Sequence, residues 1–409
     1  VVSTPETYVI VGASVAGGRA AEALRQEGFD GRVILVGAEP ERPYERPPLS
    51  KDVLRGTADE TKAFLRPLAY YDEQSIELRL GAAAVSLIPA DHQVGLGDGA
   101  RLRYDKLLIA TGAEVRRLNV PGVALPGVHY LRTLQDARTI RDATSTTTRV
   151  VVIGAGFIGA EVAASCRMKG AEVAVLEVLP VPLQRVLGDQ IGQLYARIHR
   201  EQGIDLRLGV GIAEFRGAGR LEEVITSTGE RIPCDVAVVG VGVQPSVGWL
   251  AGSGIALQNG VMVDELSATS LPDVFAAGDV ANWWHPILGE RLRVEHWENA
   301  QNQGIAAAKS MLGKGEPYAP VPYFWSDQYD LTLQYVGHAN GQDEVVFRGA
   351  PDPRQLLAFY LREGRLRAAI GVNRLKDVNA VRRLMRNNVA VTREQLADER
   401  VDLRKLGQR

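Results

Sequence analysis

Two glycine-rich turns hold the residues with the clearest chemical meaning in this chain. In each, an apolar run typical of a buried strand breaks into glycines and then continues as a helical pattern. The positions that matter are Gly12, Ser14 and Gly17 in the first turn and Gly154, Gly156 and Gly159 in the second. Glycine at these positions allows a tight turn, close helix–strand packing and the approach of a pyrophosphate to a helix N-terminus. The sequence therefore predicts two dinucleotide-binding folds, the first with a small hydroxyl, Ser14, at its middle position.

An acidic residue follows the second strand of each predicted fold. The strand at 32–37 leads to Glu39, and the strand at 172–176 leads to Glu177. A carboxylate at this position accepts hydrogen bonds from the adenosine ribose and would be repelled by a 2′-phosphate. Glu177 therefore favours NADH over NADPH. Arg185 either approaches the adenosine end of this cofactor or is a solvated arginine at the start of a helix.

Three further apolar runs end in small or acidic residues. The run at 104–112 closes on Ala110, Thr111 and Gly112, the run at 234–245 contains Gly242, and the run at 272–280 delivers Asp279. Ligands of open α/β sheets gather at the C-terminal ends of the strands. These ends are therefore predicted to serve ligand binding, although Asp279 could also cap the next helix.

A proline-rich segment at 40–51 follows the first fold's acidic residue. Proline cannot extend a sheet interior, so the segment is predicted to cross the surface as a loop. Ser50 is predicted to cap a short helix at 51–55, with Lys51 in its first turn, where a cation gains nothing from the helix dipole. Without a partner, Lys51 would be an ordinary surface lysine.

The length of 409 residues is too great for one core. The first fold is predicted at 1–115 and again at 245–320, the second at 116–244, and a C-terminal domain at 321–409. In that last domain, strands are predicted at 331–336, 344–348, 356–361 and 366–372, and an arginine-rich helix at 377–385. The fold class is α/β, with two Rossmann-like domains and an α+β C-terminal domain.

The composition excludes several classes of function. Lys plus Arg (47) nearly balances Asp plus Glu (49), which argues against nucleic acid or an anionic membrane as a partner. The two cysteines, Cys166 and Cys234, lie far apart in sequence, which argues against a disulfide scaffold, an iron–sulfur cluster or a paired redox motif. No metal-ligand spacing, nucleophile elbow or P-loop is present. With no apolar run of transmembrane length and a polar N-terminus, the expectation is a cytoplasmic protein without a bound metal.

The two glycine-rich turns, together with the apolar runs that end at 110–112, 242 and 279, resemble those of the two-dinucleotide flavoprotein disulfide reductases, which have a glutathione-reductase-like fold. In that superfamily FAD occupies the first fold and NAD(P)H the second. The chain departs from it by lacking paired cysteines. In lacking them, the chain resembles one branch of the superfamily, the ferredoxin reductases of oxygenase and P450 systems. Putidaredoxin reductase and the biphenyl dioxygenase ferredoxin reductase are members of that branch. The segments 47–51 and 324–329 resemble motifs of that branch.

The resemblance implies two sets of cofactor contacts. Those to FAD are Gly12, Ser14, Ala16, Gly17, Ala38, Glu39, Lys51, Val85, Ala110, Thr111, Gly112, Arg132, Asp279 and Trp297. Those to NAD are Gly154, Gly156, Phe157, Ile158, Gly159, Glu161, Glu177, Arg185 and Gly242. Either Ala38 or Glu39 takes the adenosine-ribose place, and Asp279 lies at the ribitol end.

The resemblance also implies a catalytic pair. Lys51 and Glu161 would lie near flavin N5, where the cation stabilises negative charge on the reduced flavin and the carboxylate holds the lysine and orients the nicotinamide. The alternative for Glu161 is an ordinary first-turn helix glutamate.

The expected reaction is hydride transfer from NADH to FAD, followed by release of single electrons. With no cysteine pair, the acceptor would be a [2Fe–2S] ferredoxin that serves a P450 or Rieske-type oxygenase. Trp325, with Arg66, Arg291 and Arg293, could form a docking face for an acidic ferredoxin, or Trp325 could belong to the core. The alternatives are a rubredoxin reductase and a redox-sensing interaction protein similar to apoptosis-inducing factor. A monomer or weak dimer is expected.

Overall fold

The computed structural model describes residues 5–340, 343–352 and 354–407. The strands are β1 (Thr7–Val11), β2 (Arg32–Val36), β3 (Ile76–Arg79), β4 (Ala84–Ile88), β5 (Gln93–Leu96), β6 (Arg101–Arg103), β7 (Lys106–Ile109), β8 (Ala113–Val115), β9 (Val128–Tyr130), β10 (Arg149–Ile153), β11 (Glu172–Glu177), β12 (Asp205–Leu208), β13 (Ile212–Arg216), β14 (Glu223–Thr226), β15 (Arg231–Pro233), β16 (Val236–Val239), β17 (Val243–Pro245), β18 (Val261–Val263), β19 (Val274–Ala276), β20 (Ala281–His285), β21 (Glu290–Leu292), β22 (Tyr323–Gln328), β23 (Leu331–Gly337), β24 (Glu344–Phe347), β25 (Leu356–Arg362) and β26 (Arg365–Val372). The α-helices are α1 (Val15–Gln26), α2 (Asp52–Arg55), α3 (Leu68–Glu73), α4 (Leu134–Ala143), α5 (Phe157–Met168), α6 (Gln184–Glu201), α7 (Trp297–Met311), α8 (Leu375–Arg386) and α9 (Arg393–Ala397). Short 3₁₀ turns include Pro47–Ser50 and Gly278–Val280.

The first of two structural units comprises the described parts of Val1–Glu45, Glu60–Glu114 and Gln244–Pro322. Its main sheet is parallel, in the order β19-β7-β1-β2-β3. The central strand β1 is buried along most of its length, as expected of a parallel strand covered on both faces. Helix α1 follows β1, and Gly28, with φ +87°, lies just beyond its C-terminal end.

Helix α7 packs closely against α1 in this unit. A Cβ atom at Gly304 would lie 2.3 Å from the carbonyl oxygen of Ala16. Only glycine therefore allows this approach, which brings α7 to the start of α1.

The second unit comprises Arg46–Asp59, Val115–Val243 and the described parts of Tyr323–Arg409. One of its sheets is parallel, in the order β12-β11-β10-β16-β9, with α5 following β10. The other is antiparallel, in the order β22-β23-β26-β25-β24.

Helix α6 shares an apolar core with the antiparallel sheet. Leu187, Ile191 and Tyr195 on α6 belong to the same buried cluster as Tyr335 and Tyr360. The Tyr360 hydroxyl donates to the carbonyl oxygen of Leu187 at 2.9 Å, one residue before the non-helical Gly188 (φ +75°) that kinks α6. The antiparallel sheet and the parallel fold are therefore joined within one unit.

The α/β class is confirmed by these two parallel sheets, and most predicted elements agree with the structure to within a residue or two. The prediction for Ser50 is wrong. Helix α2 begins at Asp52 with Lys51 at its N-cap and no side-chain cap, while Ser50 ends the preceding 3₁₀ turn and its hydroxyl bonds to Glu161 instead. Among the described residues, no helix is both long and apolar enough to cross a membrane.

Candidate functional site

The first glycine turn is dictated by the backbone on either side of it. Gly12 has φ +120°, and a Cβ atom there would lie 2.0 Å from the carbonyl oxygen of Ala110. A Cβ atom at Gly17 would lie 1.9 Å from the carbonyl oxygen of Gly12. Ser14 is the N-cap of α1, and its hydroxyl is directed to the carbonyl oxygen of Tyr44 at 3.4 Å. The hydroxyl at the middle position therefore has an internal acceptor.

A buried amide near this turn fits an acceptor-rich ligand. Gln303 on α7 is 1% exposed, and its Oε1 accepts from the backbone N–H of Gly278 at 2.9 Å. Its Nε2 is buried and has no hydrogen-bond partner among the described residues. A Cβ atom at Gly278 would lie 3.0 Å from that of Ala16 in the first turn of α1. A helix N-terminus and an unpaired amide donor thus meet where a dinucleotide phosphate could be bound, so these residues fit FAD.

The other residues predicted to contact FAD in this unit lie at strand ends and loops. Asp279 follows Gly278 in the 3₁₀ turn after β19, and the Thr111 hydroxyl donates to the carbonyl oxygen of Ser246 at 2.9 Å. After β2, Ala38 is exposed, whereas Glu39 is half-buried and accepts a hydrogen bond from the Tyr44 hydroxyl. The remaining residues are Ala110 at the end of β7, Gly112 with φ +65°, the exposed Val85 on β4 and Trp297 at the start of α7.

In the second turn, two glycines are required by the backbone and one is not. A Cβ atom at Gly154 would lie 2.5 Å from the carbonyl oxygen of Gly240, and one at Gly159 would lie 2.1 Å from that of Gly154. A Cβ atom at Gly156, the N-cap of α5, would meet no described atom within 4 Å. The open space above Gly156 is where the dinucleotide fingerprint requires close approach of a pyrophosphate. The turn therefore fits NAD(H).

Glu177 shapes this turn as well as following it. Glu177 is 8% exposed, and its carboxylate accepts from the backbone N–H of Ala155 at 2.6 Å and from that of Leu179 at 2.9 Å. Arg185 is exposed in the first turn of α6. The other predicted NAD contacts are Phe157 and the exposed Ile158 at the start of α5 and Gly242, with φ +99°, after β16.

Lys51 and Glu161 form a buried ion pair. The Lys51 Nζ lies 2.6 Å from Glu161 Oε2, and the two residues are 8% and 3% exposed. The same Oε2 accepts from the Ser50 hydroxyl at 2.5 Å, while Oε1 accepts from the Ser326 hydroxyl at 2.7 Å. Burial excludes both an ordinary surface lysine and a solvated helix glutamate. A charged pair this far from water is retained only with such additional hydrogen bonds.

The second unit thus brings together Lys51, Glu161 and two residues that sequence reasoning missed as pair partners. Ser50 and Ser326 carry no local signal beyond their place in the segments 47–51 and 324–329. Arg132 lies in the same unit, where its carbonyl oxygen accepts from Arg46. Gln303 was also missed as a possible FAD contact. The one sequence feature that could have indicated it is a polar side chain on the buried face of α7.

Neither cysteine forms a disulfide in the part of the chain that the structure describes. Burial raises the pKa of Cys166 to about 11 and that of Cys234 to about 12, and both thiols are free. They therefore stay protonated near neutral pH, unlike the thiolates that exchange disulfides.

Two family models together match most of the chain. A model described as pyridine nucleotide-disulphide oxidoreductase matches residues 6–304, and one described as reductase C-terminal matches residues 323–407. Rhodocoxin reductase of Rhodococcus erythropolis is 39% identical over 97% of this chain and 93% of that protein. The ferredoxin–NAD(+) reductase component of the anthranilate 1,2-dioxygenase system of Burkholderia cepacia is 39% identical over 98% of both chains.

Solved structures agree with these matches. The ferredoxin reductase for the CYP199A2 system from Rhodopseudomonas palustris is 39% identical, with a TM-score of 0.94 over 98% of this chain and 99% of that one. The reductase in the covalent putidaredoxin reductase–putidaredoxin complex is 33% identical, with a TM-score of 0.94 over 98% of this chain and 97% of that one. The chain therefore belongs to the pyridine nucleotide-disulphide oxidoreductase family and, within it, to the ferredoxin–NAD(+) reductases of oxygenase and P450 systems.

Proposed function

We propose that this protein oxidises NADH and delivers the electrons one at a time to a small [2Fe–2S] ferredoxin that serves a P450 or Rieske-type oxygenase. It is an oxidoreductase that uses FAD and NAD(H). The observation that carries the proposal is the presence of two glycine turns in one chain, each at the start of a helix that follows a parallel strand. Bound FAD supplies the step between a two-electron hydride donor and a one-electron acceptor.

The roles of individual residues are part of this proposal. The first glycine turn with Gln303 and Asp279 holds FAD, and the second turn with Glu177 holds NADH. The hydrogen bonds from Ser50 and Ser326 fix the Glu161 carboxylate, which in turn holds the Lys51 ammonium. A fixed cation stabilises negative charge that develops on a reduced ring, and a fixed carboxylate orients the nicotinamide amide.

The proposal also covers domains, location and assembly. Residues 1–115 and 245–320 form the FAD-binding domain, 116–244 the NAD-binding domain and 321–409 the C-terminal domain. The protein works in the cytoplasm as a monomer or weak dimer. The names of the relatives support ferredoxin, not rubredoxin, as the acceptor.

The test is anaerobic rapid mixing of the FAD-loaded protein with NADH and, separately, with NADPH, while the visible flavin band is followed. An oxidised [2Fe–2S] ferredoxin is then added. Fast bleaching by NADH and rapid reoxidation by ferredoxin are expected. Slow bleaching with a lasting charge-transfer band and no ferredoxin turnover would contradict the proposal and favour a redox sensor.

A further inference from the structure

The C-terminal sheet supplies a hydrogen bond to the Lys51–Glu161 pair. The hydroxyl of Ser326, on β22, donates to Glu161 Oε1 at 2.7 Å, on the opposite carboxylate oxygen from Lys51. Ser326 is 2% exposed, so water does not compete for this bond. Both oxygens of the carboxylate therefore have donors, and those donors come from two distant parts of the chain.

A second side chain on β22 sets the direction of the Ser326 proton. Gln328 Nε2 donates to Ser326 Oγ at 3.2 Å, and Gln328 is also 2% exposed. An amide nitrogen only donates, so the hydroxyl must accept this bond and is left with its single proton for Glu161. Side chains two apart on a strand share a face, which brings Ser326 and Gln328 to the same side.

The packing of β22 against α5 holds this geometry in place. The rings of Phe324 and Phe157 meet edge to face with centroids 4.8 Å apart. Phe324 lies two residues before Ser326 and therefore on the same face of β22. Phe157 opens α5 and Glu161 lies one turn further along it. The strand and the helix thus present Ser326 and Glu161 to each other at a fixed separation.

We infer that Ser326, oriented by Gln328, is a positioning residue for the Lys51–Glu161 pair, an inference that rests on the proposed function. The terminal torsion of a glutamate is soft, so a carboxylate held on one oxygen alone can turn. Loss of the Ser326 hydroxyl leaves Oε1 buried without a donor, and the pair relaxes to relieve it. The Lys51 ammonium then loses its fixed place.

The first test compares the S326A, S326T and T332V variants of the FAD-loaded protein. S326A slows flavin reduction at saturating NADH by about tenfold, as small misplacements near a reacting centre do, while reduction by dithionite is unchanged. S326T keeps the hydroxyl and restores most of the rate. T332V keeps the wild-type rate, because the Thr332 hydroxyl bonds to Asp327, whose side chain is on the other face of β22.

The second test is a double-mutant cycle read by urea unfolding at fixed excess FAD. S326A lowers the unfolding midpoint in the wild-type background and has much less effect in an E161A background. An equal shift in both backgrounds, or wild-type flavin reduction by S326A, would overturn the inference. Failure of the proposed function is a separate result, because the wild-type protein itself would then not be reduced by NADH.

Discussion

At the scale of single residues, the glycines of the two turns fall into two groups: those that the backbone itself requires and one that it does not. Gly12, Gly17, Gly154 and Gly159 each face a carbonyl oxygen that a Cβ atom would strike. Gly156 has φ −73°, which any residue adopts, and open space beside it. The described backbone therefore does not require a glycine at this position, and the proposed approach of the NADH pyrophosphate would account for it.

The first prediction follows from this difference. Gly156→Val should leave the urea midpoint close to that of the wild type but raise the KM for NADH about tenfold or more, because the side chain fills the space for the pyrophosphate. The KM is measured with ferricyanide as acceptor. Gly159→Val is the matched comparison and should lower the midpoint strongly. An unchanged KM in Gly156→Val would remove this space from the NADH site.

Glu177 is predicted to set the choice of nicotinamide cofactor. Glu177→Arg should reduce kcat/KM for NADH and raise it for NADPH, together shifting their ratio by about tenfold or more, since the cation attracts the 2′-phosphate. Glu177→Gln is the control, because it keeps an acceptor for the N–H groups of Ala155 and Leu179 but removes the negative charge. It therefore distinguishes an effect of charge from an effect of loop conformation. An unaltered NADH/NADPH ratio in Glu177→Arg would show that Glu177 is not at the ribose.

Lys51 is predicted to act on flavin reduction and not on FAD retention. Lys51→Ala removes a buried cation and should slow reduction by NADH about 100- to 1,000-fold, the range for loss of one preorganised donor to a developing negative charge. Bound FAD, measured by absorbance after gel filtration, should stay at the wild-type ratio. The exposed Lys62 provides the control Lys62→Ala. A wild-type reduction rate in Lys51→Ala would assign the pair to stability alone.

At the scale of elements, the local pattern of apolar residues predicted the positions of most helices and strands, because that pattern determines which segments form them. The strand predicted at 356–361 is Leu356–Arg362, and the helix predicted at 377–385 lies within Leu375–Arg386. Ser50 was misassigned because its hydrogen-bond partner, Glu161, is 111 residues away in sequence. Helix-capping preferences consider only neighbouring residues and cannot predict a bond to a distant buried carboxylate. Ser326 and Gln303 were missed for the same reason. Their roles depend on which helix packs against them.

The packing of α6 on the C-terminal sheet predicts a pH effect on stability. His199 on α6 is 2% exposed, and its Nδ1 lies 2.9 Å from the Tyr329 hydroxyl. Burial lowers the pKa of His199 to about 4, although a hydrogen bond with Gln328 acts in the opposite direction. The unfolded chain binds a proton below about pH 6.5 and the folded chain only near pH 4, so stability falls as pH drops through this window.

The expected size is measurable. Between pH 7 and pH 5 this histidine should cost about 2 kcal/mol of unfolding free energy. His199→Asn cannot titrate, so its urea unfolding should lose that much less over the same interval than the wild type. If both proteins lose equal stability, His199 is protonated in the fold or other groups control the transition.

At the scale of the whole molecule, the protein must recognise another protein without a strong overall field. The formal net charge is only −2, so recognition depends on local groups. Two arginines predicted to form the docking face already have acidic neighbours. Arg66 pairs with Glu22 at 3.2 Å, and Arg293 pairs with Glu295 at 2.6 Å. Their charge is partly neutralised within the chain, which leaves Trp325 as the sharper test of docking.

Trp325 is half-buried on β22, on the opposite face from Ser326, and is paired across the strands with Gln334. Trp325→Ala should lower ferredoxin turnover about tenfold or more, as loss of an aromatic anchor does, while ferricyanide turnover stays near that of the wild type. Trp284→Ala, on the exposed Trp284 of β20, is the matched control and should leave both activities intact. Equal losses with both acceptors in Trp325→Ala, together with a lower urea midpoint, would mean that the ring supports β22 and, through that strand, the position of Ser326.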